Sequence, residues 1–201
     1  MKLPIYNLEI MDAEDGIFAV AIVQHPATEQ AYMLFSEDKA PMQLRIENEE
    51  KRIITGVILT ADTPIYRNSE QMGEHYVQFS KDMIRSAMQK FFKEGHHLSA
   101  NFEHDSAQRI DGVYFYESFQ VDADRGVSAP KGIHVNDGSW VGTMRVEDEE
   151  VWAKIKDGQF TGFSIEGLFQ YTVPEQKDEE EVDEDQELLE IIDELLQKIG
   201  H

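Results

Sequence analysis

The spacing of apolar residues along the chain predicts two helices. The first begins after Ser80, an N-cap residue, and ends near Gly95. Its apolar side chains recur at helical spacing, at Ile84, Ala87, Met88, Phe91 and Phe92. A second, shorter helix is predicted between Asp148 and Gly158, with apolar positions at Val151, Trp152 and Ile155.

Most other apolar residues form short runs that are typical of strands. The runs lie within 16–35, where two strands flank a turn, and at 51–59, 76–79, 98–102, 113–121, 140–146 and 160–173. Strands and helices do not alternate, so the order does not favour a doubly wound parallel sheet. The pattern predicts an α+β fold, a small barrel of about six or seven strands with two inserted helices.

The pattern changes beyond Pro174. Residues 175–201 hold 12 acidic and 2 basic side chains, which contribute 2 − 12 = −10 to the net charge. Repulsion among these charges should keep 175–187 solvated, and the Leu and Ile residues that follow it predict a short amphipathic helix. We therefore expect a barrel domain over 1–174 and, over 175–201, an acidic linker with a tail helix. That helix could pack back on the barrel, but we favour docking on a partner.

The amino-acid composition limits which partners and which nucleophiles are expected. The chain has 18 basic and 40 acidic residues, a net charge of −22, which disfavours nucleic acid as a partner. Cysteine is absent, so a nucleophilic side chain would carry oxygen. The N-terminal residues do not resemble a signal peptide and no apolar run is long enough to span a membrane, which predicts a cytoplasmic protein.

Two short strings carry candidate catalytic residues, Asn101-Phe102-Glu103-His104-Asp105 and Gly162-Phe163-Ser164-Ile165-Glu166-Gly167. A serine hydroxyl becomes a good nucleophile when a neighbouring base removes its proton, and histidine titrates near neutral pH. His104 and Ser164 could fill these roles, although each could equally be structural. Gly162 and Gly167 could allow a peptide backbone to approach Ser164 closely, or they could mark β-bulges.

A metal site is a weaker interpretation of the same region. His96, His97, Glu103, His104 and Asp105 are all metal-ligating types. Adjacent histidines in a strand would point to opposite faces, and a metal site normally needs three convergent ligands. We expect no metal and no cofactor.

Residues 52–169 resemble the XkdF-like serine protease family of phages and prophages. The resemblance rests on 53–56, 61–67, Phe102-Glu103-His104-Asp105, Glu117-Ser118, Gly138-Ser139-Trp140, 151–158 and 162–167. In addition, Val23-Gln24-His25-Pro26-Ala27 looks like the opening motif of phage prohead proteases. Several separated matches in order are more specific than any one of them.

The wider group is similar to the herpesvirus assemblin proteases. This resemblance implies a closed β-barrel wrapped by helices, with Ser164 as the nucleophile and His104 as its base. Assemblin uses a second histidine after the nucleophile, where this chain has only His201. An acidic residue must replace it, or the site is a dyad; the candidates are Glu166 first, then Asp105, then Glu117.

The resemblance implies a serine endopeptidase that matures phage heads. Its substrates would be segments of the scaffold and the major capsid protein, cut within the assembling prohead in the bacterial host cytoplasm. The tail helix could also mediate self-association. The alternatives are a noncatalytic head-assembly or scaffold-docking protein on the same barrel and, more distantly, a metal-dependent hydrolase.

Overall fold

A computed structural model describes residues 3–24, 44–98, 100–102, 105–109 and 112–173. Within these residues the chain forms twelve strands, two α-helices and one 3₁₀ helix. The second strand predicted within 16–35, near residues 32–35, and the tail at 175–201 lie outside the described residues, so both stay predictions.

The strands and helices are numbered separately, each in chain order. The strands are β1 (Ile5–Glu9), β2 (Gly16–Val23), β3 (Leu44–Asn48), β4 (Ile53–Leu59), β5 (Ile65–Ser69), β6 (Gly73–Gln78), β7 (Ala100–Phe102), β8 (Asp105–Arg109), β9 (Val113–Gln120), β10 (Trp140–Val146), β11 (Gly162–Leu168) and β12 (Gln170–Thr172). The helices are α1 (Lys81–Lys93), the 3₁₀ helix (His96–Leu98) and α2 (Glu149–Lys156).

Three four-stranded sheets organise the described strands. The first has the order β12-β1-β6-β5, the second β3-β4-β10-β9 and the third β11-β2-β7-β8. The α+β class and the two α-helices are therefore confirmed. None of these three sheets closes on itself, so the closed barrel is not confirmed, and the described strands outnumber the six or seven that were predicted.

The prediction of one continuous strand over 160–173 was wrong. It is two strands that belong to different sheets: β11 pairs with β2 in the third sheet, and β12 pairs with β1 in the first. Only Phe169 separates them, so the chain changes sheet within one residue. An apolar run shows that residues are buried, but it does not show where a strand changes its partner.

Both predicted helix starts are confirmed by their caps. Ser80 Oγ accepts a hydrogen bond from the backbone N–H of Met83 at 3.1 Å, and Asp148 Oδ1 accepts one from Val151 at 2.8 Å. Gly95, just beyond α1, has a φ of +80°, a conformation that favours glycine. The buried face of α1 packs against β2.

One large hydrophobic core joins all three sheets and both helices. Aromatic side chains form its centre: Phe91 contacts Trp140 edge to face with 5.4 Å between ring centroids, and Phe115 lies 6.2 Å from Phe163. Phe163 is only 2% exposed. This burial fixes which face of β11 points to the core and which face is left for Ser164. No helix in the described ranges is long and apolar enough to cross a membrane.

Candidate active site

Ser164 lies in the middle of β11, on the face opposite the core. Its neighbour Phe163 is buried in the core, and side chains alternate between the two faces of a strand. The side chain of Ser164 is half-buried, and the residue pairs with Ala21 of β2. The core therefore anchors the strand, and the hydroxyl is held on a rigid element.

The strand that leads to His104 belongs to the same sheet. β7 pairs with the other edge of β2, and Asn101 is the partner of Ala21. Ser164, Ala21 and Asn101 thus form one row across three strands. Neighbouring strands are about 4.8 Å apart, so the backbones of Ser164 and Asn101 lie roughly 10 Å apart.

Glu166 shares the face of Ser164, because it lies two residues further along β11. Its side chain is half-buried, and Glu166 Oε1 accepts a hydrogen bond from Asn101 Nδ2. The residue that sequence reasoning ranked first as the third catalytic member is therefore fixed on the Ser164 face by a contact across the sheet.

Asn101 is the site residue that sequence reasoning missed. It is 5% exposed, and its Oδ1 is buried and accepts no hydrogen bond within the described part of the chain. A buried polar atom without a partner typically costs about 1–3 kcal/mol. The available signal was a polar residue between Ala100 and Phe102, in a strand just before the candidate base.

His104 itself lies outside the described residues, so its distance from Ser164 stays a prediction. The strands on either side of it in sequence are described: β7 ends at Phe102, and β8 begins at Asp105 and pairs with β7. Both strands belong to the sheet that carries Ser164.

The two other acidic candidates occupy different positions. Asp105 opens β8, where its backbone pairs with Phe102. Glu117 lies in β9 of the second sheet, pairs with Thr143 and is exposed. Of the three candidates, Glu166 is the one whose described contacts place its side chain on the Ser164 face.

Two of the histidines considered as metal ligands, His96 and His97, are not in a strand, although the argument against a metal site assumed that they were. His96 and His97 lie in the 3₁₀ helix, where His96 Nε2 is 3.3 Å from Glu94 Oε2 and the His97 ring stacks on Phe92 with 5.3 Å between centroids. Across the ranges that the structure describes, no group of three His, Cys, Asp or Glu side chains is arranged to hold a metal ion.

Gly167 lies opposite a β-bulge whose extra residue is Phe18 of β2. A position at a bulge is one of the two roles considered for the glycines near Ser164. The register between β11 and β2 shifts between Glu166 and Gly167. A Cβ atom on Gly167 would lie 2.4 Å from the backbone oxygen of Gly16. The glycine therefore permits close approach of two strands next to Glu166.

A serine and a carboxylate on one face of a sheet that also contains the strand leading to a histidine define a candidate serine hydrolase site. The chain belongs to the family described as "Putative phage serine protease XkdF", whose pattern matches residues 42–172. The family predicted from the sequence is thereby confirmed.

Two proteins of Bacillus subtilis (strain 168) are similar to the chain. "Uncharacterized protein YqbD" is 26% identical over 165 residues, which are 79% of this chain and 46% of that protein. "Phage-like element PBSX protein XkdF" is 25% identical over 133 residues, 65% of this chain and 42% of that protein. The chain thus spans less than half the length of either relative. No solved structure matches it significantly.

Proposed function

We propose that the chain is a serine endopeptidase of phage head maturation, with Ser164 as nucleophile and His104 as general base. The observation that carries the proposal is the arrangement of the third sheet. Ser164 and Glu166 share a half-buried face of β11, and β2 alone separates β11 from the strand that leads to His104. The family's description as a phage serine protease supports the same chemistry.

The proposed reaction is acyl transfer followed by hydrolysis. Ser164 Oγ attacks the scissile carbonyl carbon while His104 takes the hydroxyl proton, and His104 then gives that proton to the leaving amine. The acyl group stays on Ser164 until a water molecule activated by His104 attacks it and releases the acid. A carboxylate that accepts the second imidazole N–H would orient the ring. Glu166 is our first choice for this role, followed by Asp105 and Glu117.

The proposed substrates are segments of the scaffold and the major capsid protein, cut inside the assembling prohead in the bacterial host cytoplasm. The name of one relative places that protein in a phage-like element, which agrees with a phage or prophage origin. Confinement to a prohead would limit the substrates of a protease whose site lies on a sheet face.

The test is cleavage of the cognate scaffold protein by purified chains. Ser164→Ala and His104→Ala should each reduce the cleavage rate by about 10³-fold or more while the thermal midpoint stays near that of the wild type. Matched controls are Ser86→Ala on the exposed face of α1 and His134→Ala at an exposed loop position. Both controls should cleave at the wild-type rate.

A fluorophosphonate probe gives a second readout, because it should label Ser164 in the wild type and leave Ser164→Ala unlabelled. Unchanged scaffold cleavage by Ser164→Ala would contradict the proposal. A wild-type chain that binds scaffold but neither cleaves it nor reacts with the probe would instead support the noncatalytic scaffold-docking alternative.

A further inference from the structure

We propose that Asn101 is a positioning residue of the Ser164 site, which holds the Glu166 carboxylate in place. The inference rests on the proposed function and deepens it, since it assigns a role to a residue that does not touch the reacting atoms. It starts from one row of the third sheet, in which Ser164 and Asn101 flank Ala21.

The contact between Asn101 and Glu166 fixes one carboxylate oxygen. Asn101 Nδ2 donates to Glu166 Oε1 from a side chain that is 5% exposed, whereas Glu166 is half-buried. A buried donor on a strand has little rotamer freedom, so it can restrict a longer and more accessible acceptor. The contact therefore limits the orientations that the three rotatable bonds of the Glu166 side chain would otherwise allow.

Packing alone does not explain why residue 101 has an amide side chain. Asn101 Oδ1 is buried and has no hydrogen-bond donor among the described residues. An apolar side chain of similar size would fill the same space and leave no acceptor unpaired. The opposite amide orientation would place Oδ1 against the carboxylate oxygen, so the contact with Glu166 also determines which atom faces it.

A double-mutant cycle on scaffold cleavage tests the assignment. Asn101→Ala and Glu166→Gln should each lower kcat by roughly 10- to 100-fold, the range that a misplacement of about 1 Å produces, with KM within about threefold of the wild type. Because both residues act through one contact, the double variant should be no more than about threefold below the slower single variant. Asn101→Leu has a similar shape, no donor and no charge, so it should resemble Asn101→Ala. It provides the test if Asn101→Ala unfolds the chain.

The matched control is the amide pair of the first sheet, in which Gln78 Nε2 donates to Asn7 Oδ1 at 2.9 Å. Asn7→Ala should leave kcat unchanged, alone and combined with Glu166→Gln. Wild-type kcat in Asn101→Ala and Asn101→Leu, or losses that multiply in the double variant, would overturn the assignment while the wild type still cleaves and is labelled at Ser164. If the wild type neither cleaves nor is labelled, the proposed function fails and the role of Asn101 fails with it.

Discussion

Asp15 shows how one carboxylate can tie together the segments around the candidate site. Its Oδ2 accepts hydrogen bonds from the backbone N–H groups of Asp12 and Met11, at 2.9 Å each, and its Oδ1 accepts one from Gln170 at 3.3 Å. These bonds favour the ionised form, led by those from the Asp12 and Met11 backbone, and hold the pKa of Asp15 below its ordinary value. The next residue, Gly16, pairs with the end of β11.

A pH-dependent effect on stability follows for Asp15→Asn. A lowered pKa in the folded state stabilises the fold above the unfolded value of 3.8, and this contribution is lost as the pH falls through the lower folded value. The variant should therefore melt at a lower temperature than the wild type at pH 7, and the difference should shrink below about pH 4. Thermal melts from pH 7 to pH 2.5 measure this. Asp12→Asn, at an exposed neighbouring position, is the control; a constant difference for Asp15→Asn at every pH would show that its charge is not involved.

At the same scale, the site was only partly predictable from sequence. Ser164 and Glu166 could be placed on one face because side chains alternate along any strand, and β11 confirms that placement. The contact with Asn101 could not be predicted, since it depends on β7 and β11 pairing with the same strand. That pairing joins residues more than sixty positions apart, and no local spacing encodes it.

Among the elements, those governed by local chemistry were predicted well. The caps at Ser80 and Asp148 depend on neighbouring residues, and β10 has the bounds that its apolar run predicted. The hairpin β5–β6 was mostly missed, because only the end of β6 was predicted and much of the rest is polar. Ile65 and Val77 anchor the hairpin in the core. The residues between them are mostly polar and are held by backbone pairing and by contacts such as the 2.6 Å hydrogen bond from Tyr66 Oη to Glu74.

Gly167→Ala should destabilise β11 opposite the bulge of β2 and slow the reaction at the candidate site. The added Cβ would meet the backbone oxygen of Gly16 at 2.4 Å, and backbone cannot rotate away as a side-chain tip can. We expect a loss of about 1–3 kcal/mol in the free energy of unfolding. The molecules that stay folded should also cleave the scaffold more slowly, because Glu166 is adjacent to the substituted residue. Denaturant unfolding and cleavage rates on the same samples measure both effects.

Gly142→Ala is the control for this element. Its Cβ would lie 2.6 Å from side-chain atoms of Ile58 and Phe115, in the second sheet. It should also destabilise the chain, but cleavage by the folded fraction should remain at the wild-type rate. Equal effects of the two variants on that rate would mean that Gly167 matters for folding alone.

For the whole molecule, one large core joins the three sheets within the described residues. It includes residues from each sheet and from both α-helices, and a smaller apolar cluster surrounds Val57 and Val141. Residues 175–201 carry −10 of the net charge of −22. Burying such a segment would leave many charges without partners. We therefore expect the tail to contribute contacts to other molecules and not to this core.

Truncation after Pro174 tests this expectation, which concerns residues outside those described. Leu188, Ile192, Leu195 and Ile199 recur at successive turns of the predicted helix, so the stripe is suited to bind the scaffold, the capsid protein or another copy of the chain. The 1–174 chain should melt within about 2 °C of the full chain when both are monomeric, since a contribution of 1 kcal/mol would shift the midpoint of a domain of this size by about 2–4 °C. In the full chain, Ile192→Ser with Leu195→Ser should leave the midpoint unchanged and weaken association, measured by sedimentation at increasing concentration with and without scaffold. A midpoint for the 1–174 chain that is lower by 8 °C or so would show that the helix packs on the domain, and the docking role would be wrong.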